Sequence, residues 1–299
     1  MKDIAELLTI RDFLRFAISR FNEAGLYYGH GTDNVFDEAT ALILHTLHLP
    51  HDTDANMLDA RLIHHERETL YQMIMRRIKE RIPLPYLTHE AWFAGLAFYV
   101  DERVLIPRSP LAELIENQFQ PWIDPLHVHS ILDLCTGSGC IAIASAIFFP
   151  SATIDATDIS PDALAVAKIN LLRHEVENQV HLYEANLFHG LPAKKYDLII
   201  ANPPYVDAED MENLPKEYHH EPQLGLAAGT DGLQMVTQIL HDASHYLKPD
   251  GVLIVEVGNS ENALIEKYPE IPFTWLQFQR GDGGVFLLTK QQLDTHGIP

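Results

Sequence analysis

The chain has 299 residues, of which 46% are hydrophobic, and its 42 acidic against 21 basic residues give a formal net charge of −21. This length is long for one domain, so two unequal domains are expected. The acidic balance argues against a protein that binds duplex DNA, because such proteins present a basic surface to the phosphates. A strongly acidic surface attracts basic partners, although such charge also simply maintains solubility.

The sequence gives no sign of a membrane or secreted protein. No apolar run approaches the ~18 residues of a membrane span, and the N-terminus lacks the apolar core and cleavage site of a signal peptide. The only cysteines, Cys135 and Cys140, form no disulfide framework and suit a reducing compartment. We therefore expect a cytoplasmic protein without membrane association, in which both cysteines serve packing.

The first part of the chain predicts a small helical domain over residues 1–86. Thr9 and Asp12 have the spacing of a capping box at the start of a helix. Apolar residues then recur at helical spacing until Ala24-Gly25 ends the pattern. Two more helices are predicted around Phe36–Leu49 and Arg67–Arg81, and the aromatic residues around Gly95 predict a β-hairpin linker over 87–106.

From residue 107 to the end, and clearly from about residue 128, strands alternate with helices. This pattern predicts an α/β domain with a mostly parallel sheet covered by helices on both faces. The short turn Gln279–Gly284 leaves no room for a crossover, so the last two strands are expected to pair antiparallel. The predicted strands are Ser130–Leu134, Thr153–Thr157, Val180–Tyr183, Leu198–Ala201, Val252–Val257, Thr274–Phe278 and Val285–Leu288.

A glycine-rich turn follows the first of these strands, in the segment Asp133–Ala142. Glycines between a strand and a helix let the backbone approach a ligand closely. The turn by itself also fits a nicotinamide dinucleotide, but it lacks the Gly-Lys-Ser/Thr ending of a nucleotide-triphosphate loop. Asp158, at the end of the second strand, is suited to accept hydrogen bonds from both hydroxyls of a ribose. Ser160 already fills the alternative role of helix cap, ahead of Pro161.

The segment Asn202–Tyr205, with the sequence Asn-Pro-Pro-Tyr, ends the fourth strand. Pro203 and Pro204 cannot continue a strand ladder, because proline has no backbone N–H and a fixed φ. The resulting stiff corner presents an amide, free carbonyls and an aromatic ring. An amide oxygen beside a carbonyl can accept both hydrogens of a planar NH₂ group on a substrate. We therefore predict Asn202, Pro203, Pro204 and Tyr205 as the catalytic loop.

The glycine turn, the carboxylate and Asn-Pro-Pro-Tyr together resemble the S-adenosylmethionine-dependent methyltransferases that act on planar NH₂ nitrogens. The resemblance implies a class I, Rossmann-like sheet of seven strands in the order 3-2-1-4-5-7-6, with the seventh antiparallel. It also implies S-adenosylmethionine as the cofactor. The residues expected to bind it, besides Asn202, are Asp133, Thr136, Gly137, Ser138, Gly139, Asp158, Ile159 and Asn186, the last at a position where these enzymes commonly have Asp.

Further segments resemble the protein-glutamine methyltransferases of the translation machinery. One group of these enzymes modifies peptide-chain release factors and another modifies the third large-subunit ribosomal protein. The segments are Ile82–Thr88, Val104–Arg108 and Glu221–Gly232. Release-factor enzymes continue Pro-Arg with Pro-x-Thr-Glu, whereas this chain has Ser109 and Pro110, which is similar to the ribosomal-protein enzymes. The resemblance implies a large-subunit ribosomal protein as partner and substrate recognition by the helical domain.

Some alternatives stay open at this stage. Release factors are the second candidate substrate and adenine-N⁶ methylation of nucleic acid the third, although the charge disfavours it. The acidic residues between Asp207 and Glu221 fit either a contact with a basic protein or a solvated loop. No metal site is expected, because no cysteine or carboxylate pattern completes the loosely spaced histidines. Neither the modified glutamine nor the oligomeric state follows from the sequence.

Overall fold

The computed structural model describes residues 5–279 and 283–296. The chain forms two compact units. The first consists of Met1–Glu90 and Pro215–His220, and the second of Ala91–Leu214 and Glu221–Pro299. The functional division at residues 86 and 106 stays a prediction.

The first unit is helical, with α1 (Ile10–Ala24), α2 (Val35–Thr46), α3 (His64–Glu80) and the short α4 (Leu84–Thr88). The predicted capping box is confirmed: the Thr9 hydroxyl accepts from Asp12 N at 3.1 Å, and the Asp12 carboxylate accepts from Thr9 N at 2.9 Å. Gly25 ends α1 in the left-handed conformation with φ 57°. The apolar faces of these helices bury one core, which includes Phe13, Phe21, Leu42, Leu70 and Ile74.

The predicted boundaries of two helices were wrong by a few residues. α2 begins one residue earlier than predicted, because Asn34 caps it by accepting from Asp37 N at 2.9 Å. It ends at Thr46 rather than Leu49, and His48 then has a positive φ of 56°. α3 begins at His64 rather than Arg67, because the Glu66 carboxylate accepts the Ile63 N–H at 2.9 Å and so caps the earlier turn.

A buried charge cluster joins the segment Pro215–His220 to the helices of this unit. The Arg77 guanidinium donates to Glu38 at 2.7 Å and to Glu217 at 3.3 Å, and all three side chains are at most 3% exposed. Arg81 donates to Glu217 at 3.2 Å. Burial by itself would raise the pKa of Glu217, but the backbone amide of Tyr27 and the two arginines hold that pKa below its usual value.

Arg77→Ala is expected to destabilise the protein by about 3–5 kcal/mol, because it leaves the buried Glu38 without a cation and the buried Glu217 with Arg81 alone. The measurement is urea unfolding of the full chain. Arg76→Ala is the matched control, since Arg76 is the neighbouring residue of α3 and its pair with Glu80 is about half exposed on both sides. That change should cost less than about 1 kcal/mol. Equal effects of the two changes would contradict a structural role for the buried cluster.

The second unit is built on a seven-stranded sheet with the order β5-β4-β3-β6-β7-β9-β8. Its five strands from β5 to β7 run parallel, and β9 is antiparallel to both β7 and β8. The predicted fold class is confirmed. The strands are β3 (Ser130–Leu134), β4 (Thr153–Asp158), β5 (Val180–Glu184), β6 (Tyr196–Ala201), β7 (Leu247–Glu256), β8 (Thr274–Trp275) and β9 (Val285–Thr289).

β3 has the predicted bounds, and four other strands differ from theirs by one or two residues at one end, but β7 and β8 differ by three or more. β7 begins at Leu247 rather than Val252, because its pairing with β6 contains an irregularity that absorbs Lys248–Gly251. β8 contains only Thr274 and Trp275, although the Leu276 N–H still donates to Val285 O at 2.9 Å. The predicted turn Gln279–Gly284 lies partly outside the described residues.

Helices and a hairpin complete this unit. The hairpin strands are β1 (Ala91–Phe93) and β2 (Leu96–Phe98), and the helices are α5 (Leu111–Glu116), α6 (Cys140–Phe148), α7 (Pro161–Arg173), α8 (Ala208–Asn213), α9 (Gln234–Tyr246), α10 (Glu261–Lys267) and α11 (Lys290–Thr295). The central strands are apolar on both faces: Ile131 and Ile200 belong to one core cluster, whereas Leu132 and Ile199 belong to the other. In the described ranges, no helix is both long and apolar enough to cross a membrane.

Candidate active site

The predicted site residues follow the carboxyl ends of adjacent strands. β3 pairs with β4 on one side and with β6 on the other, in parallel in both cases. After β3 the chain forms β4 and β5 on one side of it, and it then crosses back to form β6 on the other side. In open α/β sheets, ligands bind at such a switch point. Leu134 pairs with Thr157 and with Ala201, so the glycine turn, Asp158 and Asn202 begin at one edge.

The two glycines of the turn are needed for different reasons. Gly137 has φ 55°, and a Cβ there would meet no atom within 4 Å, so its backbone conformation requires glycine while the space in front of it is free. Gly139 has φ 81°, and a Cβ there would lie 3.1 Å from Ala167 Cβ. Gly139 thus lets α6 pack closely against α7. This geometry agrees with the predicted purpose of the turn, close backbone approach to a ligand.

Asp158 holds the glycine turn as well as facing the cleft. One carboxylate oxygen accepts from Gly137 N and the other from Ser160 N, both at 2.9 Å. Burial raises the pKa of Asp158, and these amide hydrogen bonds oppose that rise. Each oxygen has a second lone pair, so the carboxylate can also accept hydroxyl hydrogen bonds. Ser160 caps α7, as predicted, by accepting from Ala163 N at 3.2 Å.

Asp133 is fully buried beneath the turn. The Thr136 hydroxyl donates to its Oδ2 at 2.5 Å, while its Oδ1 makes no hydrogen bond of normal geometry to any described residue. Burial raises the pKa of Asp133 to about 7, against the opposing effects of Thr136 and the Ala142 amide. A buried acceptor without a donor is unfavourable unless a ligand supplies one. The charged form of Asp133 therefore destabilises the folded protein.

An open cleft lies at this edge of the sheet, the place where open α/β sheets bind ligands. The predicted residues that line it are Gly137, Asp158, Ile159, Asn186, Asn202 and Pro204. The other predicted residues do not line it: Asp133, Thr136, Ser138, Gly139, Pro203 and Tyr205. Within this second set, Asp133, Thr136 and Ser138 are buried, which suits support of the turn.

Several lining residues were absent from the sequence prediction. Val104 and Leu105 line the cleft, and they lie in Val104–Arg108, a segment that carried the family resemblance but was not predicted to be part of the site. Leu224 and Gly225 also line the cleft, and they lie in a second such segment, Glu221–Gly232. Met235, at the start of α9, had no signal in the sequence, because an apolar helix residue is usually a core residue.

The corner Asn202–Tyr205 is half-buried rather than solvated. Pro203 and Pro204 are buried, while Asn202 and Tyr205 are partly exposed. The Tyr205 hydroxyl donates to Glu256 at 3.2 Å, and the Tyr205 carbonyl accepts from the Ser260 hydroxyl at 2.9 Å. Asn202 lines the cleft and follows β6, whereas Asp158 lies at the end of β4 on the other side of β3. An amide there can meet a substrate that approaches a ligand on the glycine turn.

The acidic stretch from Asp207 to Glu221 is only partly a solvated loop. Glu209, Asp210 and Glu212 are exposed. Glu221, in contrast, is 3% exposed and pairs with both terminal nitrogens of Arg108, at 2.7 and 2.9 Å. Glu217 is buried in the helical unit. The stretch was predicted to be either a contact with a basic protein or a solvated loop, and both predictions were wrong for Glu217 and Glu221. Arginines distant in sequence compensate the charge of these two residues.

In the described part of the chain, no three histidine, cysteine, aspartate or glutamate side chains are grouped to hold a metal ion. Burial raises the pKa of the Cys140 thiol to about 12, and it also raises the pKa of Cys135. Both thiols are thus protonated near neutral pH, which agrees with packing roles.

Comparison with known proteins identifies the family. The model of the methyltransferase small domain matches residues 113–217. The ribosomal protein uL3 glutamine methyltransferase of Neisseria meningitidis serogroup B is 57% identical over 290 residues, which cover 96% of this chain and 95% of that protein. This chain belongs to the uL3 glutamine methyltransferase family. The Neisseria gonorrhoeae relative in this family is 56% identical, with 96% of both chains covered.

Among solved structures, similar chains include the Thermus thermophilus 16S rRNA N2 G1207 methyltransferase in complex with AdoMet and guanosine. It is 18% identical and has a TM-score of 0.46, with 67% of this chain and 49% of that chain covered. The methyltransferase domain of delta-N METTL16 is 20% identical and has a TM-score of 0.47. The match covers 65% of this chain and 88% of that chain.

The residues present fit S-adenosylmethionine. Asp158 can hold the ribose hydroxyls, and the open face of Gly137 can admit the ligand next to the backbone. Asn186 and Leu187 lie at the part of the cleft that follows β5, where the adenine is expected. Asp133 does not line the cleft and supports the turn from below through the Thr136 hydroxyl.

Asp158→Ala is expected to weaken S-adenosylmethionine binding by about 1.5–3 kcal/mol, the scale of a hydrogen bond to a charged group. Loss of its bond to Gly137 N would also loosen the turn. Calorimetry measures the affinity directly. Asp162→Ala is the matched control, because Asp162 is an exposed carboxylate in the first turn of α7 and should leave the affinity unchanged. An unaltered affinity in Asp158→Ala would remove Asp158 from the site.

Asp133→Asn is expected to stabilise the cofactor-free protein at pH 8. Because the pKa of Asp133 is raised to about 7 in the folded state, its stabilising effect is present at low pH and is lost as the pH rises to about 7. The gain from Asn should therefore grow from near zero at about pH 4 to roughly 2–4 kcal/mol above pH 7, at ~1.4 kcal/mol per pH unit. Denaturant unfolding at several pH values checks this.

Asp197→Asn on β6 is the control with the opposite sign. Burial would raise the pKa of Asp197, but Lys248 and three donors from His129 and Ser130 hold it below its usual value. The charged form is thus the stable one, and Asp197→Asn should destabilise the protein near neutral pH. If the free energy of unfolding of both variants, relative to the parent protein, changed with pH in the same direction, the raised pKa assigned to Asp133 would be contradicted.

Proposed function

We propose that this chain transfers a methyl group from S-adenosylmethionine to the side-chain amide nitrogen of a glutamine in ribosomal protein uL3. The observation that carries the proposal is the position of Asn202 at the end of β6, on the cleft that the glycine turn and Asp158 also line. The 57% identity to proteins named uL3 glutamine methyltransferases over almost the whole chain supports the substrate.

The chemistry places few demands on the protein beyond positioning. A carboxamide nitrogen is a weak nucleophile, because its lone pair is delocalised into the carbonyl group. S-adenosylmethionine supplies a strongly electrophilic methyl group. Holding a nucleophile in a reactive orientation by itself lowers the barrier greatly. A polar corner on a rigid, proline-fixed loop suits this task, since its acceptors need no reorganisation during the reaction.

Asn202 and Pro203 are assigned as the acceptors of the substrate amide. The Asn202 side-chain oxygen and the Pro203 carbonyl accept hydrogen bonds from the two N–H groups of the glutamine amide. These two bonds direct the amide nitrogen at the methyl group. They also stabilise the positive charge that develops on that nitrogen. The N–C bond forms as the S–C bond breaks. The methylated amide then loses one proton to water, so no strong base is required. Tyr205 is assigned as a wall of the substrate site.

Asn202→Ala is expected to lower kcat by about 10²–10³-fold, by analogy with the loss of one oxyanion-hole donor. The affinity for S-adenosylmethionine should stay within a few-fold of the parent value. Single-turnover methylation of uL3 and calorimetry separate the two effects. Asn213→Ala is the control, because Asn213 is an exposed residue at the end of α8. A parent-like kcat in Asn202→Ala would refute the role of Asn202.

A competition assay tests the substrate. Radiolabelled S-adenosylmethionine is incubated with the protein and a mixture of uL3, a release factor and duplex DNA. Label on uL3 is expected. Label on the release factor alone would show that the reaction is glutamine methylation but that the substrate is a release factor. Label on DNA alone would overturn the proposal. The acidic balance of the chain supports a basic protein partner over DNA.

The remaining assignments follow from this proposal. A ribosomal-protein substrate and two free cysteines support a cytoplasmic location. Recognition of uL3 is assigned to the helical segment 1–86, which the chemistry of the cleft does not require. Fractionation of cells that carry the tagged protein tests the location.

A further inference from the structure

Glu256 stands out as a buried charge next to the catalytic corner. It is the last residue of β7 and is only 4% exposed. Its neighbour Val255 pairs with Ala201 of β6, so Glu256 lies at the level where Asn202 leaves the sheet. An isolated carboxylate at such a position is unfavourable, and an apolar residue would complete the strand at lower free energy. The charge therefore calls for a functional explanation.

The partners of this carboxylate are two hydroxyl groups. The Tyr205 hydroxyl donates to Oε1 at 3.2 Å, and the Ser109 hydroxyl donates to Oε2 in a short hydrogen bond. Burial raises the pKa of Glu256, and the two hydroxyls and the nearby charge of Arg108 oppose that rise. Arg108 itself makes a bidentate ion pair with Glu221. Glu256 thus accepts from hydroxyl donors, in contrast to Glu217, which has two arginines.

Tyr205 is held at two other points. Its carbonyl accepts from the Ser260 hydroxyl at 2.9 Å. A Cβ at Gly258 would lie within 3 Å of three atoms of the Tyr205 ring, so the ring rests directly on the Gly258 backbone. A Cβ at Gly232 would also lie within 3 Å of the Tyr205 carbonyl oxygen. These contacts fix the backbone and one face of the ring, and the hydroxyl bond fixes its far end.

We propose that Glu256 is a positioning residue, which orients the Tyr205 ring through its hydroxyl and is itself fixed by Ser109. The proposal rests on the proposed function, because it treats Tyr205 as a wall of the glutamine site. Glu256 then acts on substrate placement without touching the substrate. A side chain misplaced by about 1 Å in such a site lowers turnover substantially. The cofactor side of the cleft, at Asp158 and the glycine turn, is not part of this network.

The kinetic test uses Glu256→Ala, Tyr205→Phe and the double variant. Each single change removes the same hydrogen bond and should lower kcat for uL3 about 5–30-fold, the equivalent of ~1–2 kcal/mol. The double variant should be no slower than the slower single variant, because the two changes are not additive. Glu256→Gln should recover part of the loss, since its amide oxygen can still accept one hydroxyl. S-adenosylmethionine affinity should change less than about threefold.

Tyr196→Phe is the matched control. The Tyr196 hydroxyl also donates to a buried carboxylate, that of Asp155 at 2.8 Å, but it lies at the amino end of β6, away from the cleft. This change should lower stability and leave kcat per folded molecule unchanged. If Glu256→Ala likewise changes stability alone, or if the effects of Glu256→Ala and Tyr205→Phe multiply, the proposal is overturned.

A spectroscopic test does not depend on the substrate. With 3-fluorotyrosine at position 205, the fluorine resonance in Glu256→Ala should shift and narrow, because the ring gains freedom. The same probe in Tyr196→Phe should match the parent. An unchanged resonance in Glu256→Ala overturns the positioning role even if uL3 is methylated. A changed resonance in a protein that does not methylate uL3 supports the positioning role and refutes only the proposed substrate.

Discussion

The parallel pairing of β3 with β4 on one side and with β6 on the other is the constraint on which the site depends. The register places Leu134 level with both Thr157 and Ala201. The glycine turn, Asp158 and the corner Asn202–Tyr205 therefore lie at one edge of the sheet, although they are distant in the chain. A slip of one residue would turn every side chain of a strand to the opposite face. The two apolar clusters prevent this for the central strands, because β3, β6 and β7 each contribute to both.

Buried carboxylates in this protein have partners that differ with their place in the fold. Glu217 and Glu221 are compensated by arginines, which is the arrangement expected where charge serves structure. At the carboxyl edge of the sheet, Asp133 and Glu256 have hydroxyl donors, and burial raises the pKa of both. Incompletely compensated charge is characteristic of functional sites. The carboxylates beneath the glycine turn and behind the corner Asn202–Tyr205 fit this pattern.

The sequence predicted the local features well. The capping box at Thr9, the strand–helix alternation and the glycine turn all depend on residues close together in the chain, and the structure has them as predicted. Boundaries failed where a neighbour acted across a few residues. Glu66 extended α3 backwards, and an irregularity lengthened β7. The acidic stretch was misread for Glu217 and Glu221, because their arginines are more than 100 residues away in sequence.

The class of sheet, the glycine turn and the proline-fixed corner Asn202–Tyr205 can all be predicted from the amino-acid sequence alone. These are properties of local backbone chemistry, so glycine, proline and the spacing of apolar residues suffice to specify them. Which of these residues line the cleft and which support it from below depends on the three-dimensional packing. The packing also brings Glu256 to Ser109 and to Tyr205, across 147 and 51 residues of chain respectively. Such contacts depend on strand order and register, which no short stretch of sequence contains.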